Sequence, residues 1–478
     1  MDKPVKKKRD LFDESRKPMT NIMLLAWPIF LENILTSLMN YADTAMVGSM
    51  GAYATASVSI SNSVMFLLNG VVMALGVGIT ALIARSVGAK DAAMTKKLAA
   101  HTMLVLLYIG LPLSIVFGCL YRAIPLWMGA EPDVLYHASR YNLIVAFGRP
   151  FQVASMVIFA ATRGCGDTKN PLRINVIANI INVVFNFIMI YPTRELTVLG
   201  VTFTMFGCGW GVDGAAAATA ISMAFSGLAA LGMIFFKKDF VISLSIHDSY
   251  KLDWGLMKQI VRISIPAMLE RICMSVANIV VSSSIASLGT IVVAANTVYI
   301  TTESIAFMPG FAFASAATTF VGQALGAGKP DQAERYLKSC VVLSVIVMIF
   351  AGAGLFFFGK YVAALFTIDN EVIAIANRCL QIVAFLEPAQ TGAAVIAGGL
   401  RGAGDTMWTM LITAAGTWIL RAGVGAILCI RILHLGLPEA VFCMLVESYI
   451  RFFMFYLRYR TGKWKYVLKT RPGEVKPA

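Results

Sequence analysis

Polar positions along this chain are rare and bunched. Between the bunches lie apolar blocks near 22–46, 54–82, 99–121, 136–161, 172–192 and 210–236, and again near 258–287, 294–320, 337–358, 375–400, 407–430 and 436–457. A helix needs about 20 apolar residues to cross the hydrocarbon core of a bilayer, so each block predicts one membrane-spanning helix. Twelve spans use up nearly the whole length and leave no room for a sizeable soluble domain.

The blocks repeat. An offset of 238 carries Pro28 to Pro266, Glu32 to Glu270, Asn40 to Asn278, Gly51 to Gly289, Gly88-Ala89 to Gly326-Ala327 and Pro150 to Pro388. It also carries Arg163-Gly164 and Gly166-Asp167-Thr168 onto Arg401-Gly402 and Gly404-Asp405-Thr406. A constant offset over such a distance marks an internal duplication. The expected fold is an all-α polytopic membrane protein of two six-helix bundles. An even number of spans brings both copies into the membrane from the same side, which makes them a parallel repeat about an axis along the membrane normal.

Composition agrees with the blocks: 58% of residues are hydrophobic and 14% charged, with a mean hydropathy of +0.74, far from soluble averages. The net charge of +14 is read as topology, not as nucleic-acid binding. About thirty of the forty Lys and Arg fall in the two tails and in alternate loops, as expected of the cytoplasmic face. Both termini are therefore expected on that face of a plasma (inner) membrane. The division that follows is a basic tail at 1–21, a first bundle at 22–236, a linker at 237–257, a second bundle at 258–459 and a basic tail at 460–478. The Lys6-Lys7-Lys8-Arg9 run serves as an anchor against anionic lipid. The eight cysteines are dispersed, without C-x-x-C spacing, so a disulfide framework or zinc site is not expected. The glycine-rich loops at 164–168 and 402–406 lack a phosphate-binding pattern; their aspartates suit helix capping.

A charge at membrane depth costs on the order of 3 kcal/mol, so each one calls for a partner, a wet cavity or a change of protonation. Glu32 and Glu270 are equivalent and suggest one structural job done twice, with ion or substrate contact as the other reading. Arg149 and Glu387 are equivalent and opposite in sign, which raises a pair between the copies. Asp43 differs because its counterpart is Val281. Its helix also carries Asn40 and Thr44, while the fifth span sets Asn182 and Asn186 on one face by i, i+4 spacing. Leu420 and Val424 stand at those places in the second copy. One carboxylate with amide and hydroxyl oxygens suits a small hard cation such as Na⁺ and can equally carry a proton. An ordinary hydrogen-bonded patch between helices is the alternative.

Taken together, the two six-helix repeats, Tyr41-Ala42-Asp43-Thr44-Ala45-Met46-Val47-Gly48, Val87-Gly88-Ala89 and the duplicated Arg-Gly-x-Gly-Asp-Thr resemble the multidrug and toxic compound extrusion (MATE) transporters. The resemblance covers nearly the whole chain. It implies a transporter, not an enzyme: an antiporter that exports small organic, often cationic and amphipathic compounds as Na⁺ or H⁺ enters, with no further cofactor. A closed two-lobe bundle can work as a monomer in the bilayer, and a monomer is expected. The resemblance also implies a cation site at Asp43, with Asn182, Asn186 and Thr219 contributing. Where some branches place a helix-seven glutamate and a helix-ten aspartate, this chain has Met274 and Gln390. A cation site in the second copy is therefore not expected. A lipid or lipid-linked oligosaccharide flippase of the same superfamily is the alternative, and a passive channel or membrane scaffold a more distant one.

Overall fold

The computed structural model describes residues 18–198, 201–237, 241–245, 248 and 250–468, leaving aside the side chains of 63, 64, 66, 67 and 196–203. The Lys6 to Arg9 run, most of the C-terminal tail and parts of the linker lie outside the described residues. Six helices make the first half: α1 (Pro18–Gly48), α2 (Ala52–Gly88), α3 (Ala92–Cys119), α4 (Pro132–Gly164), α5 (Lys169–Ile190) and α6 (Val212–Phe236). The second half has α7 (Trp254–Ala286), α8 (Thr290–Ala306 with Met308–Gly326), α9 (Pro330–Ala364), α10 (Asn370–Gly402), α11 (Thr406–Ile432) and α12 (Leu437–Arg460). Eleven are long and apolar enough to cross a membrane, and α8 makes the twelfth as two pieces bent by 41°.

Each half packs in the same way. In the first, α4 lies against α2 and α6, and α5 bridges α1 and α6; in the second, α10 lies against α8 and α12, and α11 bridges α7 and α12. The duplication extends to single bonds. Thr80 Oγ1 donates to the Ala160 carbonyl at 2.8 Å, and Thr318 Oγ1, 238 residues on, donates to the Gly398 carbonyl at 2.8 Å. Gly164 leaves no room for a Cβ over the Thr80 carbonyl, nor Gly402 over that of Thr318, so small residues set how closely these helices approach.

Between halves, α2 meets both α7 and α8, and α1 meets α8. The α2–α8 crossing carries the repeat axis. A side chain at Gly88 would run into the Gln323 carbonyl, and one at Gly326 into the Arg85 carbonyl. Because Arg85 and Gln323 are themselves repeat mates, this is the reciprocal contact of a two-fold axis. The C-terminal ends of α2 and α8 meet there, so equivalent helices run the same way and the axis lies along them. Further contacts close the same end. Gln323 Nε2 donates to the Gly164 carbonyl at 2.8 Å and Thr319 Oγ1 to the Arg163 carbonyl at 3.0 Å.

One element departs from the all-helical expectation. Pro192–Val198 and Val201–Cys208 form an antiparallel hairpin between α5 and α6. In the sequence, Leu196-Thr197-Val198 and Val201-Thr202-Phe203-Thr204-Met205 alternate apolar and polar, the period-2 pattern of strands, in runs short enough to be hidden between two long apolar blocks.

Candidate cation site and central cleft

Asp43 lies five residues before the end of α1 and is half-buried. Asn186 on α5 donates from Nδ2 both to the Asp43 carboxylate and to Asn182 Oδ1, the latter at 3.0 Å. Asn182 in turn donates to Thr219 Oγ1 on α6 at 3.5 Å. The i, i+4 spacing on α5 permits this relay, since both amides leave the helix on one face. Asn182 and Asn186 are buried. Three helices of the first half thus converge on one line of polar atoms.

One oxygen in this line is open to a ligand: the buried Asn186 Oδ1 accepts no hydrogen bond among the described residues. Beside the line, one turn before Asn182, the Asn179 Nδ2 donor finds no acceptor among them. A buried carbonyl oxygen without a donor is costly unless something positive comes to it. Beside the Asp43 carboxylate it offers the oxygen ligands that a hard monovalent cation takes. Buried Tyr141 on α4 stands beside Thr219 and Asp43. It carries no motif, and nothing in the sequence marks it as a neighbour of the site.

Asn40 and Thr44 do not join this group. Both are exposed, and the Thr44 hydroxyl donates to the Asn40 carbonyl at 2.8 Å within their own helix.

Glu32 and Glu270 are each tied down inside their own half. Glu32 Oε1 accepts from Arg163 at 2.8 Å and from Asn175 at 2.6 Å; Glu270 Oε1 accepts from Arg401 at 2.5 Å and from Thr413 at 3.2 Å. Both arginines belong to the Arg-Gly motif, and Asn175 and Thr413 are equivalent positions. The motif therefore supplies counterions, a role its glycines conceal. Its aspartates diverge. Asp167 caps α5 by accepting from the Lys169 and Asn170 amides at 3.1 Å, whereas Asp405 makes no cap bond and accepts from Arg458 Nε at 2.8 Å.

Arg149 and Glu387 do not pair. Arg149 is buried, donates to Gln152 Oε1 at 2.8 Å and lies over the Phe117 ring at 5.9 Å. Both oxygens of buried Glu387 accept no bond among the described residues. Each lies inside its own half, on α4 and α10, and these helices do not pack on one another. Equivalence in the repeat places them at matching depth, not at matching contact. Near Glu387, Glu303 accepts from Gln390 at 3.0 Å. Elsewhere in the second half, Glu447 pairs with Arg421 and Arg451 at 3.3 and 3.2 Å.

The duplication, the twelve spans and the polar line at Asp43 describe one kind of molecule. A model of the MatE family matches twice, over residues 28–188 and 266–427. The chain belongs to the MatE family. Its two matches fall in register with the 238-residue repeat. Among curated relatives, the "Probable multidrug resistance protein NorM" of Thermotoga maritima is 27% identical over 93% of this chain and 92% of its own length. The "Multidrug resistance protein PmpM" of Pseudomonas aeruginosa is 27% identical over 86% and 84%. A solved structure described as the outward-facing conformation of a multidrug resistance MATE family transporter superposes with a TM-score of 0.86 at 22% identity, covering 96% of this chain and all of that one. At that identity it supports the fold alone.

Proposed function

We propose that this MatE-family chain is a secondary multidrug antiporter that exports organic compounds in exchange for Na⁺ or H⁺ by alternating access between its two halves. The curated relatives carry multidrug resistance names. The observation that carries the reading is the one-sided site: Asp43 shares a hydrogen-bonded line with Asn186, Asn182 and Thr219, while Val281 occupies its place in the other half. A structural patch needed by the fold would recur under the repeat, as the Glu32 and Glu270 pairs do.

Around the α2–α3 and α8–α9 turns, at the end where the halves meet, stand Arg85, Lys90, Lys96, Lys97, Lys329, Arg335 and Lys338. By the positive-inside tendency that end is cytoplasmic, so the cleft opens outward. Loading Asp43 would favour one arrangement of the halves and bound compound the other, and a differential preference of a few kcal/mol shifts the populations by orders of magnitude. A tenfold cation gradient supplies about 1.4 kcal/mol and 100 mV about 2.3 kcal/mol per charge. The test is dye efflux from proteoliposomes with Na⁺ and pH gradients imposed separately. Efflux driven by one gradient and abolished by the matching ionophore supports exchange. Efflux indifferent to both points to a passive pore, and headgroup transport without dye transport to a flippase.

A further inference from the structure

The walls of the cleft carry matching polar rows. On α1, Asn33, Ser37, Asn40 and Thr44 follow one another at steps of four, three and four, which is one helix face. On α7 the same positions are Arg271, Ser275, Asn278 and Ser282. Both rows pass from half-buried at Asn33 and Arg271 to exposed at Thr44 and Ser282. The faces point at the opposite half. On the α7 face, two turns before Arg271, Ser264 donates to the Leu75 carbonyl of α2 at 3.3 Å; the matching turn of α1 packs through Leu25, Ala26 and Ile29 into a cluster with Phe313 and Ala316 of α8. Past Arg271, whose Cβ lies 4.0 Å from the place a Cβ on Gly70 of α2 would take, exposure rises along both rows, which places them to line a cleft between the halves. Polar groups so placed need water or a ligand, not lipid.

The rows differ in charge at one position. Asn33 is neutral; Arg271 carries a guanidinium about 22–25 Å from either end of its 33-residue helix at 1.5 Å per residue. Glu270 does not neutralise it, because Glu270 Oε1 is bonded to Arg401 and Thr413 and its Oε2 takes no donor. Arg271 itself makes no ion pair or hydrogen bond among the described residues. It borders a cavity of about 50 Å³ with Met73, Val77, Ala267, Glu270 and Arg401. Two guanidinium groups and one carboxylate leave the cavity wall with one net positive charge, in a medium where an uncompensated charge is costly.

We infer that Arg271 is a recognition residue for an organic carboxylate, so that the exported compounds include anionic or zwitterionic molecules whose carboxylate docks on this guanidinium. A planar guanidinium binds a carboxylate through two parallel N–H···O bonds. Half-exposed Met73 supplies an adaptable apolar wall beside it, and the amide and hydroxyl rows accept a polar remainder on either side. The inference deepens the export reading by naming a substrate class, and it is tested by binding without any gradient, so a failure of ion coupling and a failure of carboxylate recognition are told apart.

The probes are a rhodamine bearing a free carboxylate and its methyl ester, titrated by fluorescence anisotropy against the full-length protein in detergent. The native protein is expected to bind the acid about tenfold or more tightly than the ester. Arg271→Asn, which installs the residue found at position 33, is expected to bring the two within about threefold by weakening the acid alone. Equal affinities in the native protein would overturn the assignment, as would a variant that keeps the preference or loses acid and ester together while its thermal unfolding is unchanged. If Arg271→Asn does not fold, the native acid-to-ester ratio still decides.

Discussion

Gly322 on α8 packs against Ala84 on α2, the residue that occupies its own place in the first half; a Cβ built on Gly322 would lie 2.7 Å from that of Ala84. A residue touching its repeat mate must sit beside the two-fold axis. The closed end of the cleft is thus built from the duplicated element itself, with Gly88 and Gly326 clearing the way for the opposite backbone.

Filling this crossing should open it. Gly326→Val puts a branched side chain into the Arg85 carbonyl, and overpacking of this kind costs about 1–3 kcal/mol. Thermal unfolding in detergent should show a lowered midpoint. Gly354→Ala, at a helical site with nothing within 4 Å, should leave it unchanged or slightly raised. An unchanged midpoint for Gly326→Val would mean that the two helix ends are not in tight contact at this crossing.

Removing one member of a buried ion pair leaves an uncompensated charge, at a cost of about 3–5 kcal/mol. Glu270→Gln and Glu32→Gln leave Arg401 and Arg163 without a counterion, and because those side chains are 23% and 27% exposed the expected destabilisation is about 1–3 kcal/mol, below the fully buried case. In a double-mutant cycle, Glu32→Leu with Arg163→Met should recover much of the loss. Full additivity of the two changes would show that the pair is not coupled.

Asp253, at the N-terminus of α7, binds Lys97 of α3 at 2.6 Å and caps the Gly255 and Leu256 amides at 2.8 and 3.2 Å. Its carboxyl is held below the ordinary range chiefly by the Lys97 ammonium, then by the Leu256 amide. A depressed value in the folded protein contributes stability that is present above the unfolded value, about 3.9, and lost as pH falls through the lower folded value. The unfolding midpoint should therefore drop as pH falls below about 4. Asp253→Asn should flatten that drop, and an equal acid slope in the variant would assign it elsewhere.

The twelve spans and the repeat were legible because both are written in long-range regularities: apolar length and a constant offset. The grouping of Asp43 with Asn182 and Asn186 was legible from helical spacing and from the absence of a counterpart to Asp43. Contacts that depend on how helices rotate were not. Asn40 and Thr44 share a helix with Asp43 yet look another way, Arg149 and Glu387 share a depth yet never meet, and Tyr141 joins the site from α4 with no pattern around it. The Arg163 and Arg401 pairs were hidden because glycines beside them suggested a turn. The hairpin at 192–208 was hidden by its brevity.

The central claim is that Asp43 exchanges its bound cation or proton for exported compound. The most direct measurement is ion release from proteoliposomes preloaded with Na⁺ or acidified inside, recorded with an ion-sensitive dye when substrate is added. The native protein should release one of the two ions on substrate addition, and Asp43→Asn should reduce that release at least tenfold while binding substrate within about threefold of native. Undiminished ion release by Asp43→Asn would contradict the account.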